Sequence, residues 1–408
     1  MAESWLKRID PWLLIAVFGL IGMGLVALYS SSYPAIQTGK GTNYFMFQVF
    51  WVIVGTMVMV LVALVPHRTF FNVSYLFYGI SIALLILVLF VGTRGMGATR
   101  WLRLGPFNIQ PSEIAKVATL MAVARYLSSE RININQLRYF LTASLFFLIP
   151  FLLIVKQPDL GTSLVFVVMV LPVFYWAGLN TGNLFLIIIP FLTLIASFNY
   201  YAFFGVMAIL VVYLIYSRRP LRVAIFNFLL NIFIGMITPF LWNQLQPYQK
   251  KRILTFANPE SDPLGAGYQV IQSMVAIGSG GLTGKGFLQG SQTQLRFLPE
   301  QHTDFIFAVI GEEFGFLGVT LGLVLFALLL FRIFRIASLV KSQYFSILSV
   351  GIATVIGFHM VINIGMTIGL LPVTGLPLPF ISYGGSAMLT NLGMVGMLLN
   401  FYRNRFEY

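Results

Sequence analysis

Apolar residues in this chain come in long unbroken runs, and polar residues gather in the gaps between them. Twelve runs can be placed, near residues 11–31, 44–65, 73–91, 112–127, 139–155, 161–178, 184–198, 202–216, 223–242, 304–331, 343–371 and 382–402. Most reach the roughly 18 residues at which an apolar run reads as a membrane span and not a core helix. The pattern predicts an all-α polytopic membrane protein of about 12 transmembrane helices. The runs 184–198 and 202–216 are short, and only Asn199-Tyr200-Tyr201 parts them. No polar stretch is long enough for a second domain, so residues 1–408 read as one integral membrane domain with a large loop at 243–303 and a smaller one at 92–111.

Charge assigns sides to this pattern. Only 9% of residues are charged, against about 25% in a soluble domain. The net charge of +13 is no nucleic-acid signal, because neither a recognition motif nor basic-aromatic interleaving accompanies it. The short gaps that fall on one side hold Lys7, Arg8, Arg68, Arg131, Arg138, Arg218, Arg219, Arg222, Arg332, Arg335, Lys341, Arg403 and Arg405. Basic residues in short loops mark the cytoplasmic face. Both termini are therefore expected inside and both long loops outside. The first run has no small-residue cleavage site and reads as a retained span. The absence of Cys excludes disulfides and thiol chemistry.

Candidate chemistry lies in the outer segments. Leu298-Pro299-Glu300-Gln301-His302-Thr303-Asp304 runs straight into an apolar stretch that also carries Glu312 and Glu313. An acid inside a span costs roughly 2.5–3.5 kcal/mol at the helix centre, which favours a functional reason for it. A charge placed to satisfy a helix N-terminus is the plainer account of Asp304. On a helix Glu312 lies roughly 80° from Asp304 and Glu313 opposite it, so Glu312 is expected to share its interior face. His302 has no second His or Cys nearby and reads as an orienting hydrogen-bond partner or a structural residue.

The smaller loop, Gly95 to Pro106, offers Arg100 and Arg103, suited to phosphate or to an interfacial anchor. Glu113 and Lys116 are spaced to pair on one helix face. Asp159 can cap a helix. The large loop carries Asp262-Pro263-Leu264-Gly265, Gln272-Ser273 and Gly278–Gly286. The glycine run is not a P-loop, because Ser279 and Gly286 stand where that pattern needs Gly and Ser/Thr. Its glycines and Lys285 could form an anion nest, or simply a re-entrant loop. Pro372–Ser386 alternates Pro and Leu, cannot be helical, and is expected to wall a cavity.

Together, Ala98–Lys116, Gln157–Thr162, Asp262–Gly286, Phe297–Gly315 and Leu371–Ser386 resemble the SEDS family (shape, elongation, division and sporulation proteins) over nearly the whole chain. Gln292-Thr293-Gln294-Leu295 leading to Phe297–Gln301, with Gly385-Ser386-Ala387, point to its elongation branch. The resemblance implies a peptidoglycan glycosyltransferase that polymerises lipid II at the outer face of the bacterial cytoplasmic membrane for elongation and shape. It marks Asp304 as catalytic. Substrate contacts are expected from Arg100, Arg103, Glu113, Lys116, Asp159, Gln272, Ser273, Lys285, Glu300, His302, Ser382 and Tyr383. The resemblance also implies a class B penicillin-binding protein as partner, with other elongation-complex membrane proteins. A divalent cation, Mg or Mn, is expected, and no organic cofactor. The family core has about ten spans, so residues 199–222 are expected to hold an inserted helical pair. The chemistry suits the residues: a diphosphate leaves as a stable anion, so one carboxylate base is enough. The other reading is a lipid-linked precursor flippase or another transporter, which also uses intramembrane acids and broken helices. Polar motifs on one face favour the enzyme.

Overall fold

The computed structural model describes residues 9–38, 42–95, 98–104, 107–258 and 265–407. Lys7, Arg8, Asp262, Pro263, Leu264 and the Met96-Gly97 and Gly105-Pro106 steps lie outside the described residues. The chain begins with α1 (Pro11–Thr38), α2 (Tyr44–Leu64) and α3 (His67–Val91). Three short strands follow: β1 (Thr93–Gly95), β2 (Ala98–Leu104) and β3 (Phe107–Ile109). Next come α4 (Pro111–Leu127), α5 (Leu137–Lys156), α6 (Leu160–Trp176), α7 (Thr181–Ala196), α8 (Tyr200–Tyr216) and α9 (Leu221–Gln244). The large loop holds α10 (Pro247–Ala257), α11 (Ala266–Ser279) and α12 (Ser291–Gln294). Last are α13 (Ile306–Leu339), α14 (Gln343–Thr367) and α15 (Gly385–Arg403).

Each predicted run falls mainly on a single helix. Among the described residues seven helices are long and apolar enough to cross a membrane, and α6, α7 and α8 are shorter apolar helices. Residues 304–305, 368–371 and 382–384, expected inside spans, are not helical. Residues 199–222 hold one helix, α8, and the turn into α9, not two crossings. Two spans of about 20 residues could not fit there.

The main core is formed by α1, α4, α6, α13, α14 and α15, with α4, α14 and α15 the most enclosed. Phe90, Tyr216 and Phe331 are outward and exposed, as apolar side chains are when lipid is the solvent. Helices α7, α8 and α9 form a satellite bundle around Ile189, Met207, Leu210 and Leu214. Inside it the Thr193 hydroxyl donates to Asn231 Oδ1 at 2.6 Å, joining α7 to α9. At the other end of the core, buried Asp10 caps α1 and accepts from Arg332 Nε at 2.9 Å.

Two features of the outer segments escaped the all-α expectation. The 92–111 loop is a three-stranded antiparallel sheet in the order β1-β2-β3. No clean apolar–polar alternation in Ala98–Leu104 announces it, because Arg100 and Arg103 put a charge on each face. Second, α13 is broken at Gly315, whose φ is +61°. The glycine run of the large loop threads this break. Lys285 N and Gly286 N donate to the carbonyls of Glu312 and Glu313, and Phe316 N and Leu317 N donate to those of Gly281 and Leu282. A Cβ on Gly284 would lie 2.1 Å from the Glu313 carbonyl oxygen, and one on Gly280 2.0 Å from that of Gly311. The glycines are therefore there for backbone-to-backbone contact. The amides of Lys285 and Gly286 are already bonded, which corrects the anion-nest reading of this run.

Candidate active site

Asp304 closes the large loop, two residues before α13 begins. Its main chain is held from one direction. Tyr383 N donates to the His302 carbonyl at 3.0 Å, Ser382 Oγ donates to the Thr303 carbonyl at 2.6 Å, and Asn363 Nδ2 donates to the Asp304 carbonyl at 3.0 Å. Asn363 also donates to the Leu376 carbonyl at 2.8 Å. The Pro-rich segment after α14 is thus stitched to the Asp304 turn. A Cβ on Gly375 would lie 3.4 Å from Asp304 Oδ2, so this segment is the immediate wall of the carboxylate. Gly375 itself has φ +74°, a conformation glycine adopts without strain.

The carboxylate keeps part of its surface open. Burial pushes its pKa up from 3.8 to about 6. The Glu300 carboxylate pushes the same way, while Arg252 and Arg100 pull against it. Asp304 is therefore poised to exchange a proton near neutral pH, as a general base must be.

Arg100 sits on β2. Its Nε is 3.2 Å from Asp159 Oδ2. Asp159 meanwhile caps α6, accepting from Thr162 N at 3.1 Å and Thr162 Oγ1 at 2.9 Å. The expected helix cap is present, and the same carboxylate also meets Arg100. Arg103 lies three residues further along the same strand. An odd spacing places it on the opposite face, and it is exposed. Arg252, which the sequence reading passed over, comes from α10. Its Nη1 donates to the Thr374 carbonyl at 3.4 Å, next to Gly375. Two guanidinium groups from different elements therefore act on Asp304.

His302 stacks flat on Tyr44, with ring centroids 3.8 Å apart and planes at 15°. Burial lowers its pKa, opposed by Glu300. Its Nε2 lies 3.8 Å from Glu300 Oε2. Glu300 has φ +53° and accepts from Thr303 Oγ1 at 3.1 Å.

Of the remaining predicted contacts, Glu113, Lys116, Ser273 and Lys285 are occupied within the protein. Lys116 Nζ donates to Glu113 Oε1 at 2.9 Å inside the core. Ser273 donates to the Thr367 carbonyl at 2.7 Å and is fully buried, while Gln272 beside it on α11 is half-buried. Lys285 Nζ is held by Glu312 Oε1 and Ser291 Oγ, each at 2.8 Å. Glu312 also caps α12, accepting from Gln292 N at 2.9 Å and Thr293 N at 3.0 Å. Glu313 accepts from Ser30 of α1. The expected contrast, with Glu312 facing Asp304 and Glu313 turned away, is corrected. Both acids are buried: Glu312 holds Lys285 and the start of α12, while Glu313, about 100° round the helix, meets Ser30 of α1.

The chain matches a model of the FtsW, RodA and SpoVE family, described as cell cycle protein, over residues 11–206 and 184–407. It is 35% identical over 399 residues to the peptidoglycan glycosyltransferase MrdB of Escherichia coli K12, covering 98% of this chain and 94% of that one. It is 36% identical to stage V sporulation protein E of Bacillus subtilis, covering 97% of this chain and 98% of that one. Among solved structures it resembles a chain described under "Structural coordination of polymerization and crosslinking by a peptidoglycan synthase complex", with a TM-score of 0.74, 31% identity and coverage of 99% and 100%. The rod shape determining protein RodA of Thermus thermophilus matches with a TM-score of 0.66, 27% identity and 99% coverage of each chain.

Proposed function

Because this chain belongs to the FtsW, RodA and SpoVE family and is a membrane peptidoglycan glycosyltransferase, we propose that it polymerises lipid II at the outer face of the cytoplasmic membrane, with Asp304 as the general base. The observation that carries this is a single half-open carboxylate, tuned to about 6, walled by Gly375 and facing two arginines. Asp304 takes the proton of the acceptor sugar hydroxyl as its oxygen bonds to the anomeric carbon of the donor. The bond from that carbon to the diphosphate breaks on the opposite side, so the anomeric centre inverts. The diphosphate leaves as an anion, and Arg100 and Arg252 offset its growing charge. The lipid tail stays in the bilayer beside the exposed apolar faces of the helices.

The donor set limits the part a divalent cation can play. Among the described residues no three His, Cys, Asp or Glu side chains group to hold a metal. Mg²⁺ held by one or two carboxylates together with substrate phosphate oxygens remains compatible with Asp304 and Glu300. No step above depends on it.

The resemblance to a chain of a synthase complex that joins polymerisation and crosslinking supports pairing with a class B penicillin-binding protein. The elongation role rests on the 292–301 and 385–387 segments. The test is to incubate the purified chain with lipid II and resolve the products on a gel, with and without a chelator. Glycan strands are expected. Transbilayer movement of lipid II without strands would establish the transporter reading instead.

A further inference from the structure

His359 lies in the middle of α14, 4% exposed, and both of its ring nitrogens are engaged. Its Nε2 is 3.0 Å from Lys116 Nζ, and its Nδ1 is 3.2 Å from the carbonyl oxygen of Pro377. An ammonium can only donate and a carbonyl can only accept. Both ends therefore select the same state: a neutral ring with the proton on Nδ1, donating to Pro377, and a bare Nε2 accepting from Lys116. Lys116 is 1% exposed and is held in turn by Glu113.

The residue one turn further on the same face of α14 is Asn363. It takes the carbonyl of Leu376, the neighbour of Pro377, and the carbonyl of Asp304. Two side chains of one rigid helix thus fix two consecutive carbonyls of the wall segment. That segment starts at Gly375, against the Asp304 carboxylate.

We propose that His359 is a positioning residue for glycosyl transfer: relaying Lys116 and Glu113 of α4 to Pro377, it fixes the 375–377 wall against Asp304. The proposal rests on the reading of Asp304 as the base. It gives Lys116 a different part from the one expected, since its ammonium orients a histidine instead of meeting a phosphate. Misplacing a catalytic wall by about 1 Å costs on the order of 100-fold in rate.

The test compares purified His359→Phe, His359→Asn and Asp304→Asn with the parent, measuring kcat and KM on lipid II and the melting temperature. Phe keeps the volume and loses both hydrogen bonds. Asn keeps an N–H near the Nδ1 position and so keeps Pro377. The expected result is a kcat about 100-fold lower in His359→Phe, an unchanged KM, and turnover substantially restored in His359→Asn. Native kcat in His359→Phe, or a loss confined to KM or to the melting temperature, would overturn the proposal. The chain has three histidines, so ¹⁵N-histidine NMR of the parent protein tests the same assignment without relying on a variant that must fold. One ring must show the Nδ1–H tautomer, and its bare Nε2 resonance must shift in Lys116→Met, which removes the donor to that nitrogen. An Nε2–H tautomer at His359 overturns the relay. Asp304→Asn separates the two readings. Native turnover there removes the base, and with it what His359 would position, whereas an inert Asp304→Asn beside a fully active His359→Phe removes the positioning role alone.

Discussion

Replacing Asp304 by Asn removes one negative oxygen from a turn that is otherwise untouched, because the hydrogen bonds to residues 302–304 all go to main-chain carbonyls. Activity and stability should then move in opposite directions. Loss of a general base lowers turnover by about 10²- to 10⁴-fold. The stability change follows from the carboxyl pKa, raised from 3.8 to about 6 in the folded protein. Each unit is worth about 1.4 kcal/mol, so the charged form carries a penalty of at most about 3 kcal/mol. Solvent reaching the half-open carboxylate trims this to about 1–3 kcal/mol. Below pH 3.8 the group is neutral in both folded and unfolded chains and costs nothing. The penalty grows as pH rises from 3.8 to about 6 and is complete above that. Asp304→Asn should therefore melt higher than the parent at pH 7.5, and the gap should close as pH falls towards 4. Parent turnover should show a one-proton acid limb centred near pH 6. An Asn variant that is less stable at pH 7.5, or that still polymerises, would refute the reasoning.

Neighbouring charges should move that limb in opposite directions. Glu300→Gln removes a charge that raises the Asp304 pKa, so the midpoint should fall, whereas Arg252→Met should shift it upward and slow turnover, both read from pH–rate profiles. Gly284→Ala places a Cβ 2.1 Å from a backbone oxygen at φ +82°. It should cost at least about 2 kcal/mol in detergent melts, while Gly278→Ala, with open space around it, should be close to neutral. Arg332→Met takes from buried Asp10 its guanidinium partner and leaves only the α1 cap, a loss of about 3–5 kcal/mol. The remaining folded protein should keep native kcat, and Asp10→Asn in the same chain should recover much of the melting temperature.

Much of the helical framework could be read from hydropathy because a membrane span must satisfy its own backbone and be apolar over its length. Those demands appear in each segment without reference to any other. The same logic fails where neighbours supply the partners. Gly315 breaks α13 in the middle of an apolar run, and nothing in that run marks it, since the bonds the break frees are taken by Gly281, Leu282, Lys285 and Gly286 from the outer loop. The small sheet was not legible from alternation, because the odd spacing of Arg100 and Arg103 puts a charged residue on each face of β2.

The site divides along the same line. Asp304 was legible because an acid at the lip of an apolar run is costly wherever its partners lie. Arg252 was not, being one of three adjacent basic residues, Lys250, Lys251 and Arg252, in a loop too long for the charge rule to interpret. Its role appears only when α10 brings it to Thr374. His359 and Asn363 sat unremarked inside an apolar helix, although a buried polar side chain there needs a partner as surely as Asp304 does. Four residues apart on α14, they hold adjacent carbonyls of a loop that Pro372, Pro377 and Pro379 keep from becoming helix. A loop with few backbone donors must be fixed through its carbonyls, and the donors must come from the helix beneath it. The prolines and the polar residues of α14 are therefore two halves of one requirement, and together they keep the wall of the Asp304 carboxylate in place.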